Sequence, residues 1–230
     1  MIFDPVYFLF LAPAMLLAAW AQMRVKSAYA EGSEIRSSSG VTGAQAAAEV
    51  MRSEGLNRID IEPVDGYLSD HYDPRHKVLR LSPGVYSERS LAALGIAAHE
   101  AGHALQDAQG YGPLAIRNLL VPVAGFGSNF AWIVMIVGFF MGSMNIIIGG
   151  IALFSAVVVF QLVNLPVEFD ASRRAREHLM TTGLITAAEE PVVAKVLNAA
   201  AWTYVAATLS SILTLLYFLF RSGLLGGRSE

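Results

Sequence analysis

The sequence predicts a membrane α-helical protein, with about four transmembrane helices and a small α+β part. Two observations carry this. Hydrophobic residues make up 54% of the 230-residue chain and charged residues only 15%, against roughly a quarter charged in a soluble domain. With a mean hydropathy of +0.49, much of the surface must face hydrocarbon. The apolar residues are also gathered into four stretches, each near the roughly 20 residues of helix that a bilayer core requires.

The first stretch, Val6 to Met23, is interrupted only by Pro13, a kink a membrane helix tolerates. Ala28-Tyr29-Ala30 resembles a signal-peptidase site. However, no basic residue precedes the apolar run while Arg24 and Lys26 follow it, the wrong polarity for a secretory signal. A polar region follows. In it Thr42 and Gln45 form a capping-box pattern opening a helix that runs to about Glu54 and stops at Gly55. Ile59 and Ile61, and then Val78, Leu79 and Leu81, alternate with polar neighbours and predict two short strands. Asp70 to His76 is expected as the turn between them, initiated by Asp73-Pro74. Ser87 is placed to cap a long helix that ends at Gly110.

No charge occurs from Asn118 to Val167, too long for one span and suited to two, with the break near Gly142-Ser143. The fourth span runs from about Ala200 to Phe220. The expected parts are a first helix over 1–23, a cytoplasmic α+β part over 24–118, a two-helix hairpin over 119–167, a cytoplasmic helical segment over 168–199, and a last helix with a short tail over 200–230. Orientation comes from Arg24, Lys26, Arg117, Arg173, Arg174 and Arg176, which flank spans on one side and should be cytoplasmic. Arg221 and Arg228 fall on the opposite side. A net charge of −3 without a basic block leaves no footprint for a phosphate backbone, so nucleic acid is not expected as a partner. The bilayer is. With no cysteine there is no disulfide, thiol nucleophile or thiolate metal site.

Chemistry is concentrated in His99-Glu100-Ala101-Gly102-His103. On a helix, His99 and His103 project from one face and can offer ring nitrogens to one ion, while Glu100 is placed to take a proton from an attacking water. Random placement of these residue types yields on the order of 0.006 such H-E-x-x-H motifs per chain. Ala97, Ala98, Ala101, Gly102 and Ala104 are small, allowing close approach of other backbone. A catalytic zinc keeps about three protein ligands and one open position. Asp107 lies one turn beyond His103, too far along a straight helix to close a tetrahedron, and is expected to hold a histidine ring. Glu168 is better placed, because it opens a polar helix after two membrane crossings and so returns to the same face.

The stretches HEAGHALQDAQGYGPLAIRNLLVPVAGFGSN, LPVEFDASRRA and DHYDPRHKVLRLSPGVY resemble the bacterial membrane zinc metallopeptidases of the YugP kind, which are distantly similar to HtpX-like membrane proteases. The resemblance implies a zinc metallopeptidase with a zincin-like catalytic part in the bacterial plasma membrane. Its ligands are His99, His103 and the Glu of an E-x-x-A-D stretch, here Glu168, and its substrates are protein or peptide. Ser172 stands where the related stretch carries Asp.

Other residues have weaker claims. His71 and His76 flank the Asp-Pro turn, and a solvated turn is the ordinary role for them; His178 could stabilise an oxyanion or be a surface histidine. Arg173 and Arg174 are first of all flanking charges. If exposed, the Val78 to Leu81 strand could pair an extended substrate; an internal strand is the alternative. Tyr204, Thr208, Ser210 and Ser211 suit helix packing in the last span. A catalytically idle, zinc-containing scaffold competes with the peptidase reading, though a structural site has no use for Glu100 and usually has four protein ligands. Metal transport is disfavoured, because the spans lack the ionisable residues of an ion path.

Overall fold

The computed structural model describes residues 5–225; Arg228 lies outside them. The chain is mostly helical. Four helices are long and apolar enough to cross a bilayer: α1 (Pro5–Glu34), α5 (Gly112–Phe140), α6 (Met144–Thr181) and α7 (Glu190–Arg221). Between the first two lie α2 (Gly43–Ser53), β1 (Asp60–Pro63), β2 (His71–Asp73), β3 (Val78–Leu81), the short α3 (Pro83–Tyr86) and α4 (Leu91–Ala108). The chain divides into two compact units: one takes in α1 up to Trp20, the stretch Ala115–Leu165 and the chain from Thr203 onward, the other Ala21–Leu114 and Pro166–Trp202.

In the first unit α5 and α6 form a hairpin, turned where Gly142 takes a positive φ of 59°. Gly142 N–H donates to Phe139 O and Ser143 N–H to Gly138 O, a Schellman ending that uses the last carbonyls of α5. Small residues hold the pair close: a Cβ on Gly127 would lie 2.9 Å from Leu153 O, and one on Gly138 2.8 Å from Ile147 N. Met135, Ile151, Phe154 and Phe218 fill the interior, where the Trp132 and Phe218 rings meet edge to face at 4.9 Å. Leu119, Phe126, Phe130, Ile133 and Phe140 are exposed. Such a face suits hydrocarbon.

The second unit contains the sheet, in order β1-β3-β2, with β1 parallel and β2 antiparallel to β3. Its core joins Val50 and Met51 of α2, Leu79 and Leu81 of β3, Leu94 and Leu105 of α4, and Leu179 and Leu197. The Thr42–Gln45 capping box is present at the start of α2.

Several expected boundaries are corrected. Beyond the expected apolar spans the helices themselves run on, α1 to Glu34 and α7 from Glu190. Helix α6 runs 38 residues unbroken through Pro166, so Glu168 lies within a helix and does not open one. His71–Asp73, expected as turn, is a strand, and the turn shrinks to Pro74–Lys77, where Asp73 Oδ1 accepts from the N–H groups of Arg75 and His76. Val78–Leu81 is the central strand, leaving β2 as the edge beside α4. The cap of α4 is Ser90, whose hydroxyl accepts from Ala93 N–H, whereas Ser87 ends α3.

Candidate metal centre

Helix α4 is fixed at both ends, by the Ser90 cap and by Gly110, whose φ of 64° lets Tyr111 N–H reach back to Gln106 O. Between these ends His99 and His103 sit one turn apart on one face, their ring centroids 4.8 Å from each other. Gly102 lets α6 approach that face: a Cβ there would lie 2.8 Å from Ala171 O and 3.2 Å from Ala171 Cα. One turn earlier on α6, Glu168 points at both rings. Its Oε2 is 3.2 Å from His99 Nε2 and 3.6 Å from His103 Nε2, and its side chain is only 4% exposed.

One donor atom from each of His99, His103 and Glu168 lies within 4.8 Å of the others, so the three could hold a metal ion. Two imidazoles and one carboxylate, with no thiolate, form a donor set that suits zinc with a position left open. The outer ring nitrogens are also occupied. His99 Nδ1 lies 3.1 Å from Ser172 Oγ, and His103 Nδ1 3.0 Å from Gln106 Oε1. Ser172 thus takes the place where the related stretch carries a carboxylate, but as a neutral partner. Burial opposes protonation of His103, yet the hydrogen bond and charge of Glu168, and then the charge of Glu100, outweigh it and raise the imidazole pKa.

Glu100 is held by the sheet. Its Oε2 accepts the N–H of Tyr72, the outward group of edge strand β2, at 3.0 Å. The Tyr72 phenol in turn donates to Asp107 Oδ2 at 2.7 Å, and Lys77 pairs with the same carboxylate. Burial, then Asp107, pushes the phenol pKa up, so it remains a donor. This corrects the expectation for Asp107: it anchors Tyr72 and Lys77 and touches no histidine ring. Asp70 sits nearby, its pKa raised by burial against two hydrogen bonds from Ser82, with Glu100 adding repulsion.

The remaining candidates stay outside the cluster. His71 Nδ1 pairs with Ser69 O, His76 with Asp73, and His178 Nδ1 lies 3.9 Å from Glu54. Asp170 and Glu177 are taken up by arginines: Arg173 pairs with both, and Arg174 Nε meets Asp170 Oδ2 at 2.5 Å. Thr208 and Ser211 make hydrogen bonds along their own helix. Two participants escaped the sequence reading. Gln106 is fully buried and bridges His103 to α6, and its position one turn after the second histidine was the available signal. Tyr72 had none, because its role comes from strand pairing.

Residues 7–223 match the family model described as "Putative neutral zinc metallopeptidase". The chain is 48% identical over 224 residues to the "Putative membrane protease YugP" of Bacillus subtilis (strain 168), covering 97% of this chain and 99% of that protein. No solved structure matches.

Proposed function

This chain belongs to the "Putative neutral zinc metallopeptidase" family, and from that premise we propose that it is a zinc-dependent membrane endopeptidase that hydrolyses peptide bonds of membrane or membrane-proximal proteins. His99, His103 and Glu168 hold the zinc and Glu100 is the general base. The observation that carries the reading is the convergence of two imidazole nitrogens and one carboxylate oxygen within 4.8 Å, with Glu100 adjacent in sequence and oriented by Tyr72 N–H. The HExxH helix beside a small mixed sheet supports a zincin-like catalytic part, built from the 24–118 and 168–199 segments.

When bound, zinc supplies Lewis acidity, which acidifies a water and polarises the scissile carbonyl. The chain's own residues do the rest. Glu100 accepts the proton of the attacking water and delivers it to the amine nitrogen as the C–N bond breaks. Tyr72 N–H keeps one oxygen of that carboxylate engaged, so the other is left to face the water. Basic residues at Arg24, Lys26, Arg117, Arg173, Arg174 and Arg176, with none in the α5–α6 turn, support a cytoplasmic site in the bacterial plasma membrane.

Zinc content and proteolysis of a membrane-protein pool, measured on the purified full chain, test the reading. Wild type should hold about one zinc per chain, and His99→Ala, His103→Ala and Glu168→Ala should each lose most of it. Glu100→Gln should keep zinc and lose turnover by about 10²- to 10⁴-fold. Zinc retained in all three ligand variants would overturn the ligand set, and a fully active Glu100→Gln would overturn the base and leave a zinc-bearing scaffold.

A further inference from the structure

We infer that Gln106, keyed by Asp170 and Val167 O, is a positioning residue that locks His103 into the tautomer with its proton on Nδ1 and its lone pair on Nε2, facing Glu168. The inference rests on the zinc reading for its purpose and on hydrogen-bond chemistry for its content. Gln106 is completely buried. Its Nε2 donates to Val167 O at 2.8 Å and to Asp170 Oδ2 at 2.9 Å, which uses both N–H groups of the amide.

The amide therefore cannot flip. Turned over, Oε1 would face a carbonyl oxygen and a carboxylate, two acceptors opposite an acceptor in a buried site, each leaving an unmade bond. With Oε1 fixed toward His103 Nδ1 at 3.0 Å, the contact requires a proton on Nδ1, because an amide oxygen only accepts. A neutral imidazole has one ring proton, so Nε2 is left as a bare donor atom on the side of Glu168. Asp170 is itself held by Arg173 and Arg174, which fixes the key in place. The proton position on a metal-facing histidine is thus set through a neutral amide, with the Asp170 carboxylate one hydrogen bond further out on that side.

Without Gln106 the preference should reverse. Nε2–H would then be the form that donates to Glu168 Oε2, 3.6 Å away in the structure, and it has no lone pair for zinc.

Nitrogen-15 spectra of histidine-labelled full-length protein in micelles, metal-free and at a pH where His103 is neutral, read the tautomer directly. Wild type should show a protonated Nδ1 and a bare Nε2 on His103, and Gln106→Leu should shift the proton to Nε2. A protonated Nε2 in wild type overturns the inference without depending on any variant folding. In parallel, chelator competition should show zinc held about 10- to 100-fold more weakly by Gln106→Leu. Asp170→Ala should weaken it in the same direction, and Asp170→Asn, whose amide oxygen can still accept from Gln106, should restore most of the loss. If wild type binds zinc and Gln106→Leu binds it equally well, the positioning role is wrong. If wild type binds none, the zinc reading fails, while the tautomer measurement still decides the hydrogen-bond argument.

Discussion

Gly102→Ala separates the geometry of the candidate metal centre from the stability of the fold. A methyl group at Gly102 would lie 2.8 Å from Ala171 O and 3.2 Å from its Cα, and both atoms are helix backbone that cannot rotate away. Reaching ordinary contact near 3.5 Å requires α4 and α6 to part by about 0.5–0.7 Å locally. Overpacking of this size costs about 1–3 kcal/mol. Alanine recovers roughly 1 kcal/mol over glycine in a helix interior, so the net loss of fold stability should be about 0–2 kcal/mol. The metal site is less forgiving, since zinc–ligand distances tolerate only about ±0.2 Å. Glu168 lies one turn before Ala171 and moves with it, while His103 moves with Gly102. Zinc affinity should therefore fall by about 10- to 100-fold, or about 1.4–2.8 kcal/mol, read by chelator competition on folded protein, while the thermal midpoint drops by no more than about 8 °C. Gly95→Ala on the same helix is the control: its methyl would meet the Val193 side chain at 3.1 Å, which can yield, and zinc affinity should stay at the wild-type level. Wild-type zinc affinity in Gly102→Ala would show that α6 does not set the position of Glu168 through this contact.

Asp107→Ala frees the Tyr72 phenol and Lys77 but touches no ligand; it should keep zinc and lower kcat through a loosened Glu100, and loss of zinc would return Asp107 to the histidine rings. Cysteines placed singly at Asn57 and Ser143, in a chain with none of its own, should label from opposite sides of the membrane; labelling from one side would break the two-crossing hairpin. Glu189 accepts from the N–H and hydroxyl of both Ser38 and Thr186. Burial raises its pKa, but these bonds prevail and lower it to about 2, below the roughly 4.3 of an unfolded chain. Its contribution is complete above about pH 4.3 and is lost as pH falls through about 2, so Glu189→Gln should flatten the acid limb of the thermal midpoint between these values. Parallel curves for wild type and variant would refute this.

The four apolar helices were legible because hydrophobic length is a local property, and the break at Gly142 because its glycine is. Helix ends were not. SAYAEGSE and VEFDASRRAREHLMT are polar, yet rich in residues that continue a helix already nucleated, and hydropathy cannot register that. Strand β2 was hidden for a different reason: its three residues become a strand only by pairing with β3. At the metal centre, four-residue spacing marked His99 and His103, while the approach of Glu168 depended on a helix contact at Gly102 that spacing cannot express. Gln106 and Tyr72 act through partners 61 and 28 residues away, and no local pattern announces such bonds.

The distance in sequence between the two halves of the donor set also bears on synthesis. His99 and Glu168 are 69 positions apart, with α5 and the first part of α6 made between them. At about 5–20 residues per second, roughly 3–14 s separate the appearance of the HEAGH helix from that of its carboxylate partner. A nascent chain carrying α4 alone offers the two imidazoles without the Glu168 carboxylate. On the proposed reading, the order of translation would thus hold back the complete donor set until α5 and the first part of α6 have been made.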